Sequence, residues 1–280
     1  MLIDLHTHST CSDGTDTPGE LMRAARRAAV DVVALTDHDT TAGWEEAASA
    51  VSATGVTLVR GTEISTEAGG VGVHLLSYLH DPTDPALSAI FERSRSSRSQ
   101  RAQHMVERIS QDLDLTWADV ADHADDGATI GRPHIADALV AKGYARDRAA
   151  AFATILHPAG PYYVRYWAPP TVEAVAAVRA AGGVPVMAHA RASTRGRVVS
   201  LDVIRGLAEA GLGGLEIDHP DHDEPSREIL RELASELGLF GTGSSDYHGT
   251  GKPNRLAECT STAEVLEEIE HQGRLPLLRP

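Results

Sequence analysis

Short apolar runs rich in β-branched residues alternate along most of this chain with longer amphipathic segments. This alternation is typical of βα units that build a mostly parallel sheet. The predicted strands lie near 2–6, 31–36, 57–64, 72–79, 184–189, 213–218 and 239–244. The predicted helices of these units lie near 17–29, 41–53, 171–181, 200–210, 225–237 and 262–271. Seven strands in this rhythm predict an α/β fold closed into a barrel.

The stretch 84–165 interrupts the alternation, because it contains several helical patterns and no convincing strand. We interpret it as a helical subdomain inserted into a barrel domain formed by 1–83 and 166–280. Its first helix carries the arginines Arg93, Arg95, Arg98, Arg101 and Arg108. Charge runs usually form a solvated helix face, which is the arrangement we expect here. A wall that attracts phosphate is the alternative.

The composition excludes several classes of protein. Of the 280 residues, 42% are hydrophobic and 23% charged, and no apolar run approaches the length that spans a bilayer. The start MLIDLHTH does not resemble a secretory signal, so we expect a cytoplasmic protein with free thiols at Cys11 and Cys259. The net charge of −15 argues against stable binding of duplex nucleic acid, although bound divalent ions would let an acidic pocket take a nucleotide.

Histidine is unusually frequent, with 14 copies, and many stand beside carboxylates where the predicted strands end. The residues at these ends are His6, His8, Asp37, His38, Glu63, His189, Asp218, His219, Asp246 and His248, and the fourth strand carries His74. The carboxyl ends of parallel barrel strands share one face, where such enzymes place their catalytic groups. The sequence therefore predicts one site to which all seven strands contribute.

The residue types in this set indicate metal binding. Residues two apart in a strand project to the same side, so His6 and His8 are placed to hold one ion. Imidazoles mixed with carboxylates suit zinc, manganese or iron, whereas magnesium and calcium prefer oxygen ligands alone. Glu63 is able to bridge two ions, and the set is larger than one ion needs. We therefore expect two or three divalent ions, manganese first, with iron or zinc as alternatives.

The chain also resembles the polymerase and histidinol phosphatase (PHP) domain superfamily over nearly its whole length. The matching motifs are DLHTHSTCSDG at 4–14, ALTDHDT at 34–40, GTEIS at 61–65, VHLLSY at 73–78, AGGVPVMAHA at 181–190 and GSSDYHG at 243–249. The resemblance implies a distorted (β/α)7 barrel with a trinuclear metal centre. It assigns His6, His8, Glu63 and Asp246 to one ion, Glu63, His74 and His189 to a second, and Asp13, His38 and His248 to a third. Asp13 enters through the resemblance alone, since Ser-Asp-Gly reads otherwise as a turn.

Within this superfamily the chain is similar to stand-alone phosphoesterases whose helical insertion carries a GRPHIA-type segment, here 131–136. Such members act on nucleotides and short oligonucleotides, removing the 3′-phosphate of nucleoside 3′,5′-bisphosphates or trimming RNA from 5′ to 3′. The resemblance places Arg132 and His134 at the phosphate, and a guanidinium fork suits phosphate oxygens. A helix N-terminus with an incidental charge is the structural alternative.

Further substrate-side candidates follow the fifth and sixth predicted strands. They are Arg191, which follows Ala190 where relatives have proline, together with His219 and His222. For His222 a solvated acidic loop is the alternative. Arg195 and Arg197 lie near enough in sequence to serve a second phosphate.

Together these features predict a metal-dependent phosphoesterase acting on a nucleotide, with an AMP-like product, or on a short oligonucleotide. We expect a hydroxide between two ions to attack phosphorus, with Asp246, Arg132 and His134 as the catalytic protein groups. A histidinol-phosphate-type phosphatase is the nearest alternative. An amidohydrolase-type enzyme and a non-catalytic metal or nucleotide-binding module are further ones. The number of subunits is left open.

Overall fold

The computed structural model describes residues 1–124, 128 and 130–280. Its strands are β1 (Ile3–Thr7), β2 (Val32–Leu35), β3 (Thr57–Ala68), β4 (Val71–Tyr78), β5 (Val184–Met187), β6 (Gly214–Asp218) and β7 (Phe240–Gly243). Its helices are α1 (Pro18–Arg27), α2 (Trp44–Thr54), α3 (Pro85–Ile109), α4 (Trp117–Ala121), α5 (Arg132–Ala141), α6 (Arg148–Ala153), α7 (Thr171–Ala180), α8 (Leu201–Glu209), α9 (Glu224–Leu237) and α10 (Ala263–Gln272). Every strand and helix predicted for the barrel is confirmed, with shifted ends.

The seven strands form one sheet whose spatial order follows the chain from β1 to β7. The two edges approach each other, since Thr7 pairs with Tyr247 in an isolated parallel bridge. The His8 N–H donates to the Tyr247 carbonyl at 2.9 Å across the same seam. The sheet is therefore a nearly closed barrel, and the predicted barrel fold is confirmed.

Strand β4 departs from the expected parallel arrangement. It runs antiparallel to both β3 and β5, while the other neighbouring pairs are parallel. Strand β3 also continues beyond its predicted end and forms a hairpin with β4, turning at Gly69 and Gly70 with φ of 59° and 77°. The expectation that every strand points its carboxyl end at one rim is wrong for β4. His74 still reaches that rim, because it lies near the start of the reversed strand.

Local sequence signals explain where the helices begin and end. Thr17 and Glu20 form a capping box at the start of α1, with Pro18 in the first turn. Helices α2 and α9 end at Gly55 and Gly238, which adopt left-handed conformations with φ of 70° and 66°. These signals set the βα units that surround the barrel.

The barrel interior is filled by an apolar layer beneath the polar rim. Its buried residues include Ile3, Leu5, Val32, Ala34, Val59, Leu76, Tyr78, Val184 and Val186, together with Leu266 and Ile269 of α10. The pairing of β1 with β2 shifts register between Asp4 and Thr7. This irregularity lets Leu5 join the apolar layer while His6, the next residue, also reaches the interior. Two outer clusters pack α1 and α2, and α7 to α9, against the strands.

The inserted segment has an apolar cluster of its own. The second half of α3 packs through Met105 and Ile109 against Ile135 and Leu139 of α5, in a cluster that also contains residues of α4 and α6. The first half of α3 instead packs against the barrel, through Leu87 and Phe91. The predicted domain limits at 84 and 165 stay a prediction.

The arginines of α3 are only partly solvated. Arg98 and Arg101 are 6% and 5% exposed, whereas Arg93 and Arg108 are exposed. The exposed Arg93 lies over the Trp167 ring at 3.8 Å from its centroid. The expectation that this run points into solvent is therefore wrong for Arg98 and Arg101 and holds for Arg93 and Arg108. Within the described ranges, no helix is both long and apolar enough to cross a bilayer.

His80 gives the fold a pH dependence that lies away from the polar rim. Its buried ring lies 5.0 Å from Trp44 and 5.7 Å from Phe91, measured between centroids. Its Nδ1 is 2.8 Å from the Ser77 hydroxyl, while Nε2 has no hydrogen-bond partner among the described residues. Burial lowers the pKa of His80 to about 4, so the folded protein resists protonation that the unfolded chain accepts.

We therefore predict that His80→Leu weakens the pH dependence of stability. The unfolded state binds the extra proton as the pH falls below the ordinary histidine pKa, so His80 costs stability in acid. From about pH 7 to pH 5 the free energy of unfolding should fall about 2 kcal/mol more in the wild type than in the variant. Urea unfolding at both pH values measures this difference. The exposed His104→Leu should retain the wild-type slope, and an unchanged slope in His80→Leu would contradict the prediction.

Candidate metal centre

Glu63 is the centre of the polar rim and is 1% exposed. Its Oε1 lies 2.8 Å from His74 Nδ1 and 3.1 Å from His189 Nε2. Its Oε2 lies 3.4 Å from His6 Nε2, 3.2 Å from His8 Nε2 and 3.1 Å from His38 Nδ1. Both carboxylate oxygens therefore face imidazole nitrogens from several strands, which is the arrangement that a bridging ligand requires.

His6 and His8 meet on one side of Glu63, as their spacing predicted. Their Nε2 atoms are 3.1 Å apart, and both rings are fully buried. Asp246 Oδ1 lies 3.5 Å from His6 Nε2 and 3.4 Å from His8 Nε2. The four side chains thus present two nitrogens and two oxygens to one point.

Asp13 lies at the opposite side of His8, in the loop after β1. Its Oδ1 is 3.2 Å from His248 Nε2 and 3.7 Å from His8 Nδ1, and its Oδ2 is 3.6 Å from His38 Nε2. A Cβ at Gly14 would lie 2.4 Å from the His8 carbonyl oxygen. Only glycine therefore permits the close turn that brings Asp13 back to the histidines.

Three overlapping groups have ligand atoms within 4.8 Å of one another. They are His8, Asp13, His38 and His248; His6, His8 and Glu63; and His38, Glu63 and His74. The grouping shares His8 and His38 between neighbours, whereas the resemblance gave each to one ion. His189 adjoins these groups because its Nε2 contacts Glu63. Asp246 adjoins them because its Oδ1 faces His6 and His8. Every predicted metal ligand therefore lies in this one cluster, while the division of ligands among ions stays a prediction.

The protonation of the cluster is compatible with metal binding. Burial alone raises the pKa of Asp13, but His38, His248 and His8 outweigh it and hold that pKa well below its ordinary value. Burial lowers the pKa of His189 to about 3. Burial alone also lowers the pKa of His8, but hydrogen bonds to Asp246 and Glu63 raise it to about 9. A divalent ion would displace protons from such histidines, which couples metal affinity to pH.

Glu216 is a member of the site that the sequence reasoning missed. It is fully buried on β6, accepts a hydrogen bond from His6 Nδ1 at 3.0 Å, and accepts another from the His189 N–H at 2.7 Å. Burial alone raises the pKa of Glu216, but His6 and His219 outweigh it and lower that pKa strongly. A charged carboxylate there fixes the tautomer and orientation of His6. Its place two residues before the end of β6 was the available signal.

Two further buried aspartates hold the loops that carry ligands. Asp37 accepts hydrogen bonds from the Ser9 N–H at 2.8 Å and from the Ser12 hydroxyl at 2.6 Å, next to Asp13. Asp4 accepts hydrogen bonds from the Ser245 N–H at 3.0 Å and from the Ser245 hydroxyl at 2.6 Å, next to Asp246. The strand-end residue Asp37 therefore supports a ligand loop. Asp218, another strand-end residue, pairs with Arg231 at 3.0 Å.

The second oxygen of Asp246 faces two cations. Arg195 contacts Asp246 Oδ2 at 2.6 Å and Lys252 contacts it at 2.8 Å. His219 Nε2 lies 3.6 Å from the same oxygen. Oδ1 is thereby left facing His6 and His8, so the two cations determine which oxygen of Asp246 faces the histidines.

Three of the six non-glycine residues with positive φ in the described part of the chain lie at this rim. Asp39, His189 and Asp246 have φ of 54°, 31° and 53°, which is the left-handed region that non-glycine residues seldom adopt. Such conformations persist where the surrounding contacts determine them, and they cluster at functional sites. His189 and Asp246 are both predicted ligands, and Asp39 follows the ligand His38.

The predicted substrate-side residues fall into two sets. Arg132 and His134 lie in the first turn of α5, where His134 Nδ1 accepts a hydrogen bond from the Gly131 N–H at 3.2 Å. Burial lowers the pKa of His134, while Asp13 acts against this shift. Arg148 of α6 donates to the Asp13 carbonyl at 3.1 Å. The insertion therefore borders the Asp13 side of the metal cluster.

The second set lies near Asp246, on the loops after β5 and β6. His222 Nδ1 donates to the Ile217 carbonyl at 2.8 Å, and its Nε2 accepts the Arg191 N–H at 3.1 Å. His222 is 4% exposed, so the solvated loop considered for it is wrong. His219 Nδ1 accepts the Asp221 N–H at 2.9 Å, and its buried Nε2 has no hydrogen-bond partner among the described residues. The substrate roles of these residues and of Arg191 stay predictions.

A rim of barrel strands that gathers buried histidines and carboxylates around one bridging glutamate is typical of metal-dependent hydrolases. A model of the PHP domain matches residues 4–146. The 3′,5′-nucleoside bisphosphate phosphatase of Chromobacterium violaceum is 33% identical over 286 residues, which cover 99% of this chain and 98% of that protein. The 5′-3′ exoribonuclease of Haemophilus influenzae is 34% identical over 88% of this chain and 89% of its own length.

A solved structure extends these comparisons to the fold. It is a protein of Bifidobacterium adolescentis described as a candidate metal-dependent phosphoesterase. The two chains are 43% identical and superpose with a TM-score of 0.95, covering 97% of this chain and 96% of the other. The chain belongs to the PHP domain family, as its motifs indicated, and it is a metal-dependent phosphoesterase, a hydrolase of phosphoric esters.

We predict that Glu216→Gln lowers metal affinity roughly 10- to 100-fold, because the charge that orients His6 is lost while the side-chain shape is kept. Titration of the metal-free protein with Mn²⁺, followed by calorimetry, measures the affinity directly. The exposed Glu228→Gln is the matched control and should bind as the wild type does. Equal affinities for Glu216→Gln and the wild type would show that Glu216 does not support the ligands.

Proposed function

We propose that this protein hydrolyses phosphate esters of nucleotides or short oligonucleotides, such as the 3′-phosphate of a nucleoside 3′,5′-bisphosphate. The observation that supports this most is the position of arginines beside an acidic metal cluster. Arg195 contacts the predicted ligand Asp246, Arg98 pairs with Asp39 next to His38, and Arg132 begins α5, whose first turn also carries His134. A site that combines metal ligands with arginines suits a phosphate group. The activities for which the phosphatase and exoribonuclease relatives are named agree with this proposal.

The residues fit two or three divalent ions, since the three overlapping ligand groups share buried imidazole and carboxylate donors. We propose that His6, His8, Glu63 and Asp246 hold one ion, Glu63, His74 and His189 a second, and Asp13, His38 and His248 a third. The mixed donor set favours manganese, iron or zinc. Bound ions of this kind lower the pKa of water and neutralise charge on phosphate oxygens.

The side chains around the cluster would bind the substrate and orient the predicted ligands. Arg132 and His134 would hold phosphate oxygens from the insertion side, while Lys252 and Arg195 keep Asp246 directed at His6 and His8. His219 accepts the Asp221 N–H at Nδ1, so its proton is on Nε2, and giving that proton to the leaving group would leave an imidazolate. Of His219 and His222, the contacts therefore favour His219 as a hydrogen-bond donor to the substrate and not as the general acid. Its buried Nε2 faces Asp246 without a hydrogen-bond partner in the described residues, whereas both nitrogens of His222 contact backbone groups.

The alternatives differ in what they require. A histidinol-phosphate-type phosphatase would use the same cluster, and the relatives named for nucleotide and RNA substrates favour the nucleotide assignment. A non-catalytic binding module would not need a complete ligand set with oriented carboxylates.

We predict that chelation abolishes hydrolysis of adenosine 3′,5′-bisphosphate and that added Mn²⁺ restores it. Asp13→Asn should lower kcat at least about 100-fold, because it removes a carboxylate that would hold the third ion, whose charge would stabilise the phosphate oxygens. Malachite-green phosphate release measures the rate, and elemental analysis shows whether the other ions remain bound.

The exposed Asp202→Asn is the matched control, and it should keep wild-type activity. A panel that contains histidinol phosphate tests the alternative directly. Faster turnover of histidinol phosphate than of the nucleotides would overturn the nucleotide assignment. Full activity after complete removal of divalent metals would overturn the metal-dependent mechanism.

A further inference from the structure

Arg148 lies where the insertion meets the loop of Asp13, a predicted ligand of the third ion. It is the first residue of α6, and its Nη1 donates to the Asp13 carbonyl at 3.1 Å. Its Nη2 and Nε contact the two carboxylate oxygens of Asp137 on α5 at 2.6 Å and 2.5 Å. The side chains of this ion pair are only 15% and 23% exposed. The bidentate contact therefore fixes the guanidinium in the orientation that reaches Asp13.

Arg148 also contacts the loop after β7, which carries another predicted ligand of this ion, His248. A Cβ on Gly251 would overlap the guanidinium, lying 2.9 Å from Arg148 Cζ. The two ligand loops are bound to each other as well. The Thr15 N–H donates to the His248 carbonyl at 3.2 Å, and the Thr250 N–H donates to Thr15 Oγ1 at 2.8 Å. One side chain of the insertion therefore contacts both loops, which come from opposite ends of the barrel sequence.

The ion pair with Asp137 also balances the charge that Arg148 brings to the site. A lone cation beside Asp13 would oppose the binding of a metal ion, whereas a carboxylate in contact with it cancels most of that repulsion. Burial alone lowers the pKa of Arg148, but Asp137 and Asp13 outweigh it and raise that pKa. Arg148 therefore supplies the Asp13 backbone with a fixed hydrogen bond and little net charge.

We propose that Arg148 is a positioning residue through which the insertion sets the affinity of the third divalent ion. Its hydrogen bond to the Asp13 carbonyl and its contact with Gly251 hold two ligand loops in the arrangement that the ion requires. The insertion thus takes part in metal binding although it supplies none of the predicted ligands. This inference rests on the proposed function, because the third ion and its ligands belong to that proposal.

Gly251→Ala is the most specific test, because it adds a single methyl group where the guanidinium lies. The end of a flexible side chain moves away from such a group with little effect on folding, but Arg148 then leaves the Asp13 carbonyl. Elemental analysis and calorimetric titration with Mn²⁺ measure how many ions bind and how tightly. The weakest of the three ions should bind at least about tenfold more weakly, the size expected when a group that orients metal ligands is lost. The affinities of the other two should change by less than about threefold, since Arg148 does not contact their ligands.

A double-mutant cycle separates this effect from a general disturbance of the fold. Arg148→Ala should weaken the same ion to the same degree. Without the guanidinium, the methyl group added by Gly251→Ala has no close neighbour, so the double variant should bind as Arg148→Ala alone does. The exposed Arg146→Ala is one matched control. Gly206→Ala is the other, because its Cβ would have no neighbour within 4 Å outside its own helix. Both controls should bind three ions as the wild type does.

The outcomes distinguish this inference from the proposed activity. Three ions bound with equal affinities by the wild type and both variants would overturn the role of Arg148 alone. Equal losses at all three ions, or additive losses in the double variant, would overturn it as well. A wild type that binds fewer than three ions would overturn the third-ion assignment and the inference with it. A protein that shows the selective loss but hydrolyses no nucleotide would overturn the proposed function and still support the positioning role.

Discussion

A buried carboxylate must be neutralised by its surroundings, and Glu63 is the place where this protein depends on that constraint. Its two oxygens face nitrogens of His6, His8, His38, His74 and His189 at 2.8 to 3.4 Å. Imidazoles supply this neutralisation only if the strands that carry them converge. The nearly closed barrel is the geometry that allows such convergence, so the fold and the site follow from the same requirement.

Further buried carboxylates surround the cluster and support the predicted ligands. Glu216 orients His6, Asp37 holds the loop of Asp13, and Asp4 holds the loop of Asp246. Each of these carboxylates is buried and accepts hydrogen bonds from backbone or hydroxyl groups as well. These contacts orient the loops that carry the predicted ligands Asp13 and Asp246, which would reduce the conformational entropy lost when an ion binds.

The sequence permitted accurate prediction of the features that depend on local periodicity. The strand positions and the pairing of His6 with His8 follow from residue spacing alone. The reversal of β4 does not, since strand direction depends on the hairpin with β3, and an isolated apolar run is compatible with either direction. Asp13 was accessible only through family resemblance. Glu216 was missed because its role arises from His6, 210 residues away, although its place two residues before the strand-end Asp218 put it on the same side of β6.

The arginines of α3 show why charge patterns alone mislead. A run of arginines on a long helix usually faces water, and only the tertiary packing of the insertion buries Arg98 and Arg101. Arg98 pairs with Asp39 of the barrel, whereas Arg101 has no carboxylate partner among the described residues. The insertion thus places buried cations beside a metal cluster whose predicted ligands come from the barrel.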